Sequence, residues 1–468
     1  MADSNFRRTF AAMALVSLCG CTVGPDYNRP AVETPPAFKE MDGWRAASPR
    51  DVSSEQWWTI YEDPLLDELE KQVEISNQNL KAAEAAYRQS VAVVGEARAA
   101  FYPTVDANAS ALRANAGSKG AGSRAVVSVS TGASWEIDVW GKIRRSVESE
   151  VAGAQASAAD LAAAKLSAQS LLAVQYFQLR VDDELERLLN ETADAYEVSL
   201  KISVNRYNAG TAARSDVAGA QTQLESTRAQ AIAVGVQRAQ LEHAIAVLIG
   251  KPPSQFSIAK APLSLDVPVV PPGLPSALLE RRPDVAAAER RVASANAQIG
   301  VAEAAYYPDI TLTASYGFIG SALDNLIRAQ NAVWSVGPQL AETVFDGGLR
   351  GSQVEAARAA YDQSVANYRQ TVLTSFQQVE DELAALRILE QQAEVQDRAV
   401  TAARETERLT VNQYKAGTVA YTAVIVAQAQ ALQNRETALN ILESRFGASI
   451  SLIQALGGGW NATELPAP

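Results

Sequence analysis

The chain repeats itself, and the repeat limits what it can fold into more than any other feature. Gly95 to Ser110 reads GEARAAFYPTVDANAS, and Gly300 to Ser315 reads GVAEAAYYPDITLTAS, an offset of 205 residues. Trp140-Gly-Lys-Ile-Arg144 aligns with Asp346-Gly-Gly-Leu-Arg350 at an offset of 206. Arg206-Tyr-Asn-Ala-Gly-Thr211 aligns with Gln413-Tyr-Lys-Ala-Gly-Thr418, and Leu248-Ile-Gly250 with Ala455-Leu-Gly457, both at 207. Four matches in one order, drifting by only two residues, mark a tandem duplication. Each half reads helix, Tyr-Pro, strand, loop, strand, long helix, Tyr-x-Ala-Gly-Thr turn, helix.

The helices are read from periodicity and from the absence of breakers. From Val354 the apolar positions run through Tyr361, Val365, Tyr368, Val372, Phe376, Val379 and Leu383 to Leu386. That spacing is about 3.56 residues per turn, close to the helical period. No Gly or Pro falls between 352 and 414, so one helix there reaches about 90 Å at ~1.5 Å per residue. Residues 143–207 form a similar stretch, interrupted only by Gly153. Asp63-Pro64 is a helix start, with Asp as cap and Pro in the first turn.

Four segments alternate with period two instead, predicting strands at about 104–112, 125–139, 309–318 and 333–345. In the clearest, Val127, Val129, Ala133, Trp135 and Ile137 share one face, while Ser128, Ser130, Ser134, Glu136 and Asp138 share the other. Such strands fit a barrel with lipid outside and water inside. A soluble half-buried sheet alternates in the same way, so alternation alone leaves both open.

Order along the chain supplies a polarity. Each half runs from a helix into a strand hairpin and returns by a helix. Both hairpins therefore lie at one end and both Ala-Gly-Thr turns at the other. Four strands cannot close a barrel, since single-chain bacterial barrels need at least about eight. Several chains must share one. Two would give eight strands, with an interior filled by side chains; three would give twelve. Geometry favours three or more. The expected fold is α+β and mainly α: a tandem-repeat protomer giving four strands to a shared barrel, with a long α-helical barrel beyond it.

The expected organisation is a signal peptide at 1–20, an N-terminal extended segment at 21–62, and a first repeat at 63–250. A Pro-rich linker follows at 251–282, then a second repeat at 283–457 and a tail at 458–468. The signal reading rests on Arg7 and Arg8, the apolar run from Phe10 to Leu18, and small Gly20. Leu18-Cys19-Gly20-Cys21 resembles a bacterial lipobox, which implies lipid attachment at Cys21; an ordinary signal peptide cut elsewhere, or a short buried helix, is the alternative. Cleavage there would remove Cys19, leaving no free thiol in an oxidising compartment. Thr22 rather than Asp follows the cysteine, which in such lipoproteins implies sorting to the outer membrane. Beyond the signal, no stretch reaches the roughly 18 uncharged apolar residues of a membrane helix, so any later crossing must be by strands.

Taken together, the sequence resembles the outer membrane factor family, the TolC-like exit ducts, and within it the NodT-type lipoproteins of RND tripartite efflux pumps. The residues that carry the likeness are Cys21-Thr-Val-Gly-Pro-Asp-Tyr27, Trp57-Trp58, Tyr61, Asp63-Pro64-Leu65, Leu278-Leu-Glu-Arg-Arg-Pro-Asp-Val285, Ala304-Ala-Tyr-Tyr-Pro308 and Ala455-Leu-Gly-Gly-Gly-Trp460. The resemblance implies a homotrimer with a 12-stranded barrel in the outer membrane and a helical tunnel in the periplasm. It also implies a periplasmic adaptor (membrane fusion) protein, an inner-membrane RND-type transporter, and passive conduction of drugs or other small toxic compounds. Carried over by position, the periplasmic tips are Arg206 to Asp216 and Gln413 to Val426, with Arg206, Tyr207, Asp216, Tyr414 and Lys415 as candidates for holding them closed. Packing of the helix turn is the other reading of Tyr207 and Tyr414. Some relatives carry an acid before the Ala-Gln after the second turn; here Val426 precedes Ala427-Gln428, which puts an acidic ring there in doubt. Glu136 and Asp138 are candidates for the barrel lumen, where they could favour cations; a simple solvated barrel face is the other reading.

Composition narrows the alternatives. A net charge of −12 argues against nucleic acid as a partner. The only histidine, His243, lies in an apolar helical context and reads as structural. Asp182-Asp-Glu184 reads as a solvated helix face. No His cluster or Gly-rich phosphate loop is present, so the expectation is no cofactor, no metal and no enzyme. The competing reading is a coiled-coil lipoprotein spacer tethered to the outer membrane, which would have no need of barrel hairpins.

Overall fold

The computed structural model describes residues 22–40, 56–114, 124–263, 266–270 and 279–466. The expected signal peptide at 1–20, Cys21 and part of the expected linker lie outside them. Each half of the chain contributes a strand hairpin and three main helices, after a short leading helix α1 (Pro64–Ser76). The first half holds α2 (Gln78–Ala99), β1 (Thr104–Ala114), β2 (Arg124–Glu136), α3 (Lys142–Asn208) and α4 (Arg214–Leu248). The second holds α5 (Pro283–Ala304), β3 (Asp309–Gly320), β4 (Ala332–Ala341), α6 (Leu349–Lys415) and α7 (Tyr421–Ala455). The two long helices, α3 and α6, have 67 residues each, or about 100 Å at ~1.5 Å per residue. Gly153 does not interrupt α3. None of the described helices is long and apolar enough to cross a membrane.

The strands form one antiparallel sheet in the order β1-β2-β3-β4. The two hairpins are joined through β2 and β3, where Glu136 lies opposite Thr311 and Val127 opposite Gly320. Among the described residues, β1 and β4 are the edges of the sheet, each without a further partner strand.

Two strands end sooner than alternation suggests, for a local reason. β2 stops at Glu136 because Asp138 turns away to cap the next helix. Its Oδ1 accepts from the Ile143 amide at 3.0 Å, and its Oδ2 from the Arg144 amide at 3.0 Å and Arg144 Nε at 3.1 Å. β4 stops at Ala341, and Asp346 performs the same task for α6, accepting from the Gly348 amide at 2.9 Å and Arg350 Nε at 2.7 Å. Satisfying the otherwise free amides of a helix start outweighs one more rung of sheet.

Large side chains gather midway along the chain's long axis, where α1 and the ends of α4 and α7 meet the long helices. Trp58, Tyr61, Phe177 and Phe446 are buried there. The Phe177 and Phe446 rings stack at 4.2 Å, one from each repeat. The same equator shows the duplication in three dimensions. Asn77 caps α2 and donates to the Leu248 carbonyl at 2.8 Å; Arg282 precedes α5 and donates to the Ala455 carbonyl at 3.0 Å. Gly250 and Gly457 close these corners with left-handed φ of 68° and 95°. A Cβ on either would lie 2.3 Å from the Ser76 carbonyl oxygen or 2.1 Å from that of Arg281, so only glycine fits.

The N-terminal segment is a strap bound along both repeats. Buried Arg145 donates to the carbonyls of Val23 (3.2 Å) and Gly24 (3.1 Å) and to Asp26 (2.8 Å). Asn296 holds the Pro25 carbonyl at 2.9 Å, and Glu380 accepts from the amides of Lys39 and Glu40 at 2.7 and 3.0 Å. The described part of the Pro-rich linker is held in a similar way. Arg238 donates to the Ile258 carbonyl at 2.6 Å and Arg180 to that of Ala259 at 2.9 Å. Both arginines also grip Asp183, at 2.7 and 3.1 Å. The acidic run expected on a solvated face thus turns its middle residue inward, while His243 is exposed on α4.

Candidate functional site

Two places could carry function: the sheet at one end and the helical turns at the other. Cross-strand partners share a face, so the register sorts the sheet side chains. One face carries Val105, Ala109, Val129, Trp135, Leu312, Tyr316, Trp334, Val336 and Leu340. Trp334 and Val336 are 73% and 65% exposed on the single chain. The other face carries Thr104, Asp106, Asn108, Ser110, Ser128, Ser130, Ser134, Thr311, Thr313, Ser315 and Ser335, with Leu112, Val126, Ile319 and Val333 towards the hairpin turns. Hydroxyl pairs bridge this face, Ser110 to Ser128 and Ser315 to Ser335, each at 2.8 Å. Apolar residues with Trp and Tyr on one side, and hydroxyls on the other, are the division that lipid and water impose on a barrel wall.

Aromatic side chains finish the helix-side end of the sheet. Trp135 donates to the Phe101 carbonyl and Trp140 to that of Pro308, both at 2.9 Å. The Trp140 ring stacks on Tyr307 at 4.9 Å. Of the two acids expected in the lumen, Glu136 lies on the hydroxyl face, 3.1 Å from Lys142 Nζ. The carboxylate of Asp138 is only 10% exposed and is committed to the start of α3. Sequence reasoning missed Asp309, which shares the hydroxyl face and meets the same lysine at 3.5 Å. Its signal was a place at the head of an alternating run.

At the far end, both Tyr-x-Ala-Gly-Thr motifs close their helices in one way. Gly417 donates to the Tyr414 carbonyl at 2.9 Å and Thr418 to that of Gln413 at 3.0 Å; Gly210 and Thr211 repeat this on Tyr207 and Arg206, both at 2.9 Å. This is the Schellman pattern, and it explains the conserved spacing within the chain: glycine takes the left-handed position, and the next residue ties back.

The candidate tip residues separate into distinct settings. Arg206 and Tyr414 come together across the repeats. The guanidinium donates to the Tyr414 carbonyl and lies 4.5 Å from the centre of its ring. Tyr414 is buried, its hydroxyl 3.4 Å from Ser203 and its ring 5.1 Å from Tyr421. Tyr207 is exposed, with Arg214 5.9 Å over its ring. Asp216 sits in the first turn of α4. Burial, followed by Tyr414, Tyr196 and Asp216, pushes the Tyr421 hydroxyl up to about 12. Lys415 points elsewhere, into a groove of about 900 Å³ between α3 and α6 that also bears Arg404, Arg408 and Glu405. Gln428, at the floor of that groove, donates to Ser199 at 3.2 Å. Ser203, Tyr421 and Gln428 are not among the candidates named for holding the tip, although Tyr421 lies inside the second tip; Tyr421 occupies the repeat position of Arg214.

Among the described residues, no group of three His, Cys, Asp or Glu side chains is placed to hold a metal ion. What the molecule offers is a surface for lipid, a polar face behind it and a long helical wall ending in two turns. That combination defines an outer-membrane efflux channel. The chain belongs to the outer membrane efflux protein family, whose sequence profile matches residues 69–251 and 274–458, one block in each repeat. It is 30% identical over 464 residues to the pyoverdine export outer membrane protein OpmQ of Pseudomonas aeruginosa, covering 97% of this chain and 96% of the other. Its fold is similar to that of the outer-membrane channel OprN, with a TM-score of 0.87 at 27% identity, over 94% of this chain and 100% of OprN. The open-state MtrE outer membrane channel of Neisseria gonorrhoeae aligns at a TM-score of 0.84 and 29% identity, over 94% and 99%.

Proposed function

We propose that the chain works as a homotrimer, forming a passive outer-membrane duct that carries drugs or other small toxic compounds from a periplasmic adaptor and an inner-membrane RND-type pump to the exterior. The observation that carries this reading is the four-stranded sheet with two unpaired edges, one lipid-type face and one hydroxyl face, continuing into helices of 67 residues. Exposed edges invite pairing with another chain. Three copies give twelve strands and an open lumen; two give eight, which side chains fill. A coiled-coil spacer accounts for the helices but leaves the sheet unexplained.

In this reading the helix turns form the periplasmic tip, and Arg206 with Tyr414 holds it closed. Tyr207 and Lys415 are exposed beside them, where an adaptor would meet the wall, while Asp216 is half-buried and acts on the Tyr421 hydroxyl. The groove beside Lys415, walled by α3 and α6, is a trough suited to a partner's helix. Cys21 carries the lipid. Support comes from its neighbour: the Val23 amide donates to the Trp140 carbonyl at 3.0 Å, and Thr22 packs on Gly141, at the aromatic end of the sheet. An acyl chain on Cys21 would start at the level of the membrane surface. Native mass spectrometry of protein extracted from outer membranes should give three acylated chains; a monomer at every concentration would contradict the assembly.

A further inference from the structure

Where the sheet meets the helices, Lys142 bridges two carboxylates from different repeats. Its Nζ lies 3.1 Å from Glu136, the last residue of β2, and 3.5 Å from Asp309, the first of β3. Both acids lie on the hydroxyl face, by register and by alternation with Ser134 and Thr311. All three side chains remain partly solvated, at 41%, 40% and 58% exposure for Lys142, Glu136 and Asp309. Along this face the other positions from Thr104 to Leu112, Val126 to Ser134, Thr311 to Ile319 and Val333 to Gln339 are neutral, except Asp106.

We infer that Glu136, Asp309 and Lys142 form a charged collar at the inner mouth of the barrel that makes the duct prefer cations. The inference rests on the trimeric-duct reading. Two carboxylates against one ammonium leave one negative charge per chain, so a trimer places three around the mouth. Asp106, two residues further along the face from Thr104, adds another acid per chain. Rings of acidic side chains select cations in pores of many kinds. The charges act within a Debye length, about 10 Å at 0.1 M salt and ~3 Å at 1 M. The preference should therefore fade as salt rises. Lys142 tunes the collar by cancelling half of its acid charge, and it does so from the end of the sheet where the two repeats join.

The test is the reversal potential of purified trimers in planar bilayers under a KCl gradient, with all variants in the full chain so that the tip contributes equally. Lys142→Gln doubles the net negative charge of the collar and should shift the potential towards that of potassium. Glu136→Gln combined with Asp309→Asn leaves the lysine in excess and should shift it towards chloride. Both shifts should shrink in high salt. Glu136→Gln alone should shift the potential in the same direction by less, which keeps the test sound if the double variant fails to assemble. Conducting trimers whose reversal potentials stay the same would overturn the collar and leave Lys142 a structural pin. Absence of conductance in every trimer, the unsubstituted one included, would instead overturn the duct reading beneath it.

Discussion

Arg206 of the first helical hairpin is held against Tyr414 of the second, its guanidinium donating to the tyrosine carbonyl and lying 4.5 Å from the ring centre. The pair joins the two repeats at the tip. It also shows why Arg206 and the tyrosine hydroxyl should not matter equally. The arginine holds a backbone atom and a ring face, whereas the hydroxyl's hydrogen-bond partner among the described residues is Ser203, at 3.4 Å.

Arg206→Ala should therefore loosen the tip more than Tyr414→Phe, which keeps both carbonyl and ring. A hydrogen bond from a charged donor is worth about 1.5–3 kcal/mol and an exposed cation–π contact ~0.5–1 kcal/mol. Hydrogen exchange of the tip amides, together with sensitivity of cells to large antibiotics, should rise strongly for the first variant and little for the second. Equal effects would mean that the hydroxyl ties the tip as strongly as the arginine and would contradict this ranking.

The equatorial corners are as demanding as the tip. Gly457→Ala places a Cβ 2.1 Å from the Arg281 carbonyl oxygen, at a φ of 95°. Strain of this kind costs about 1–3 kcal/mol before any displacement of the backbone. The thermal midpoint should fall clearly. Gly153→Ala is the control, since its Cβ would meet nothing within 4 Å in mid-helix. It should hold or raise stability by up to about 1 kcal/mol. A similar fall for both would remove the steric explanation.

Stability should also respond to mild acid. Burial, and then the like charges of Glu443 and Asp183, push Asp182 up to about 6. A carboxyl with a raised folded pKa binds its proton more tightly folded than unfolded. Its contribution is most favourable below the ordinary carboxylate range, at about 4, and is lost as pH rises through about 6. Asp182→Asn should flatten that decline and gain on the order of 1–2 kcal/mol at neutral pH, allowing for partial exposure. Denaturation profiles between these limits that remain parallel for the two proteins would contradict the shift.

Acylation gives a simpler test. Cys21→Ser should abolish the lipid, read as the loss of the acyl mass by mass spectrometry. The strap should stay docked, because Arg145, Asn296 and Glu380 hold it without the lipid. An unchanged acyl mass would refute the assignment.

Much of this architecture was legible in the sequence because periodicity writes it locally. The absence of Gly and Pro marked α6 to within a few residues, and the Ala-Gly-Thr motif marked the tip, since a Schellman ending needs glycine at one position. Alternation found all four strands and the side of the sheet on which Glu136 lies. Contacts that cross the chain at long range had no such signature. Arg206 faces Tyr414, but its repeat position is Gln413, so the duplication gives no hint of the pairing. Asp138 continues the alternation of β2 in sequence, yet capping α3 claims it. The strap of residues 22–40 has no periodicity of its own. Its place is set by polar groups on helices more than a hundred residues away.

The central claim is that three chains enclose one continuous aqueous path. It is tested most directly by the conductance of purified protein in planar bilayers, compared between the unsubstituted chain and Arg206→Ala. Discrete steps of uniform size that grow larger in the variant are the expected result. A membrane that stays insulating with both proteins, although each is trimeric and inserted, would contradict the account.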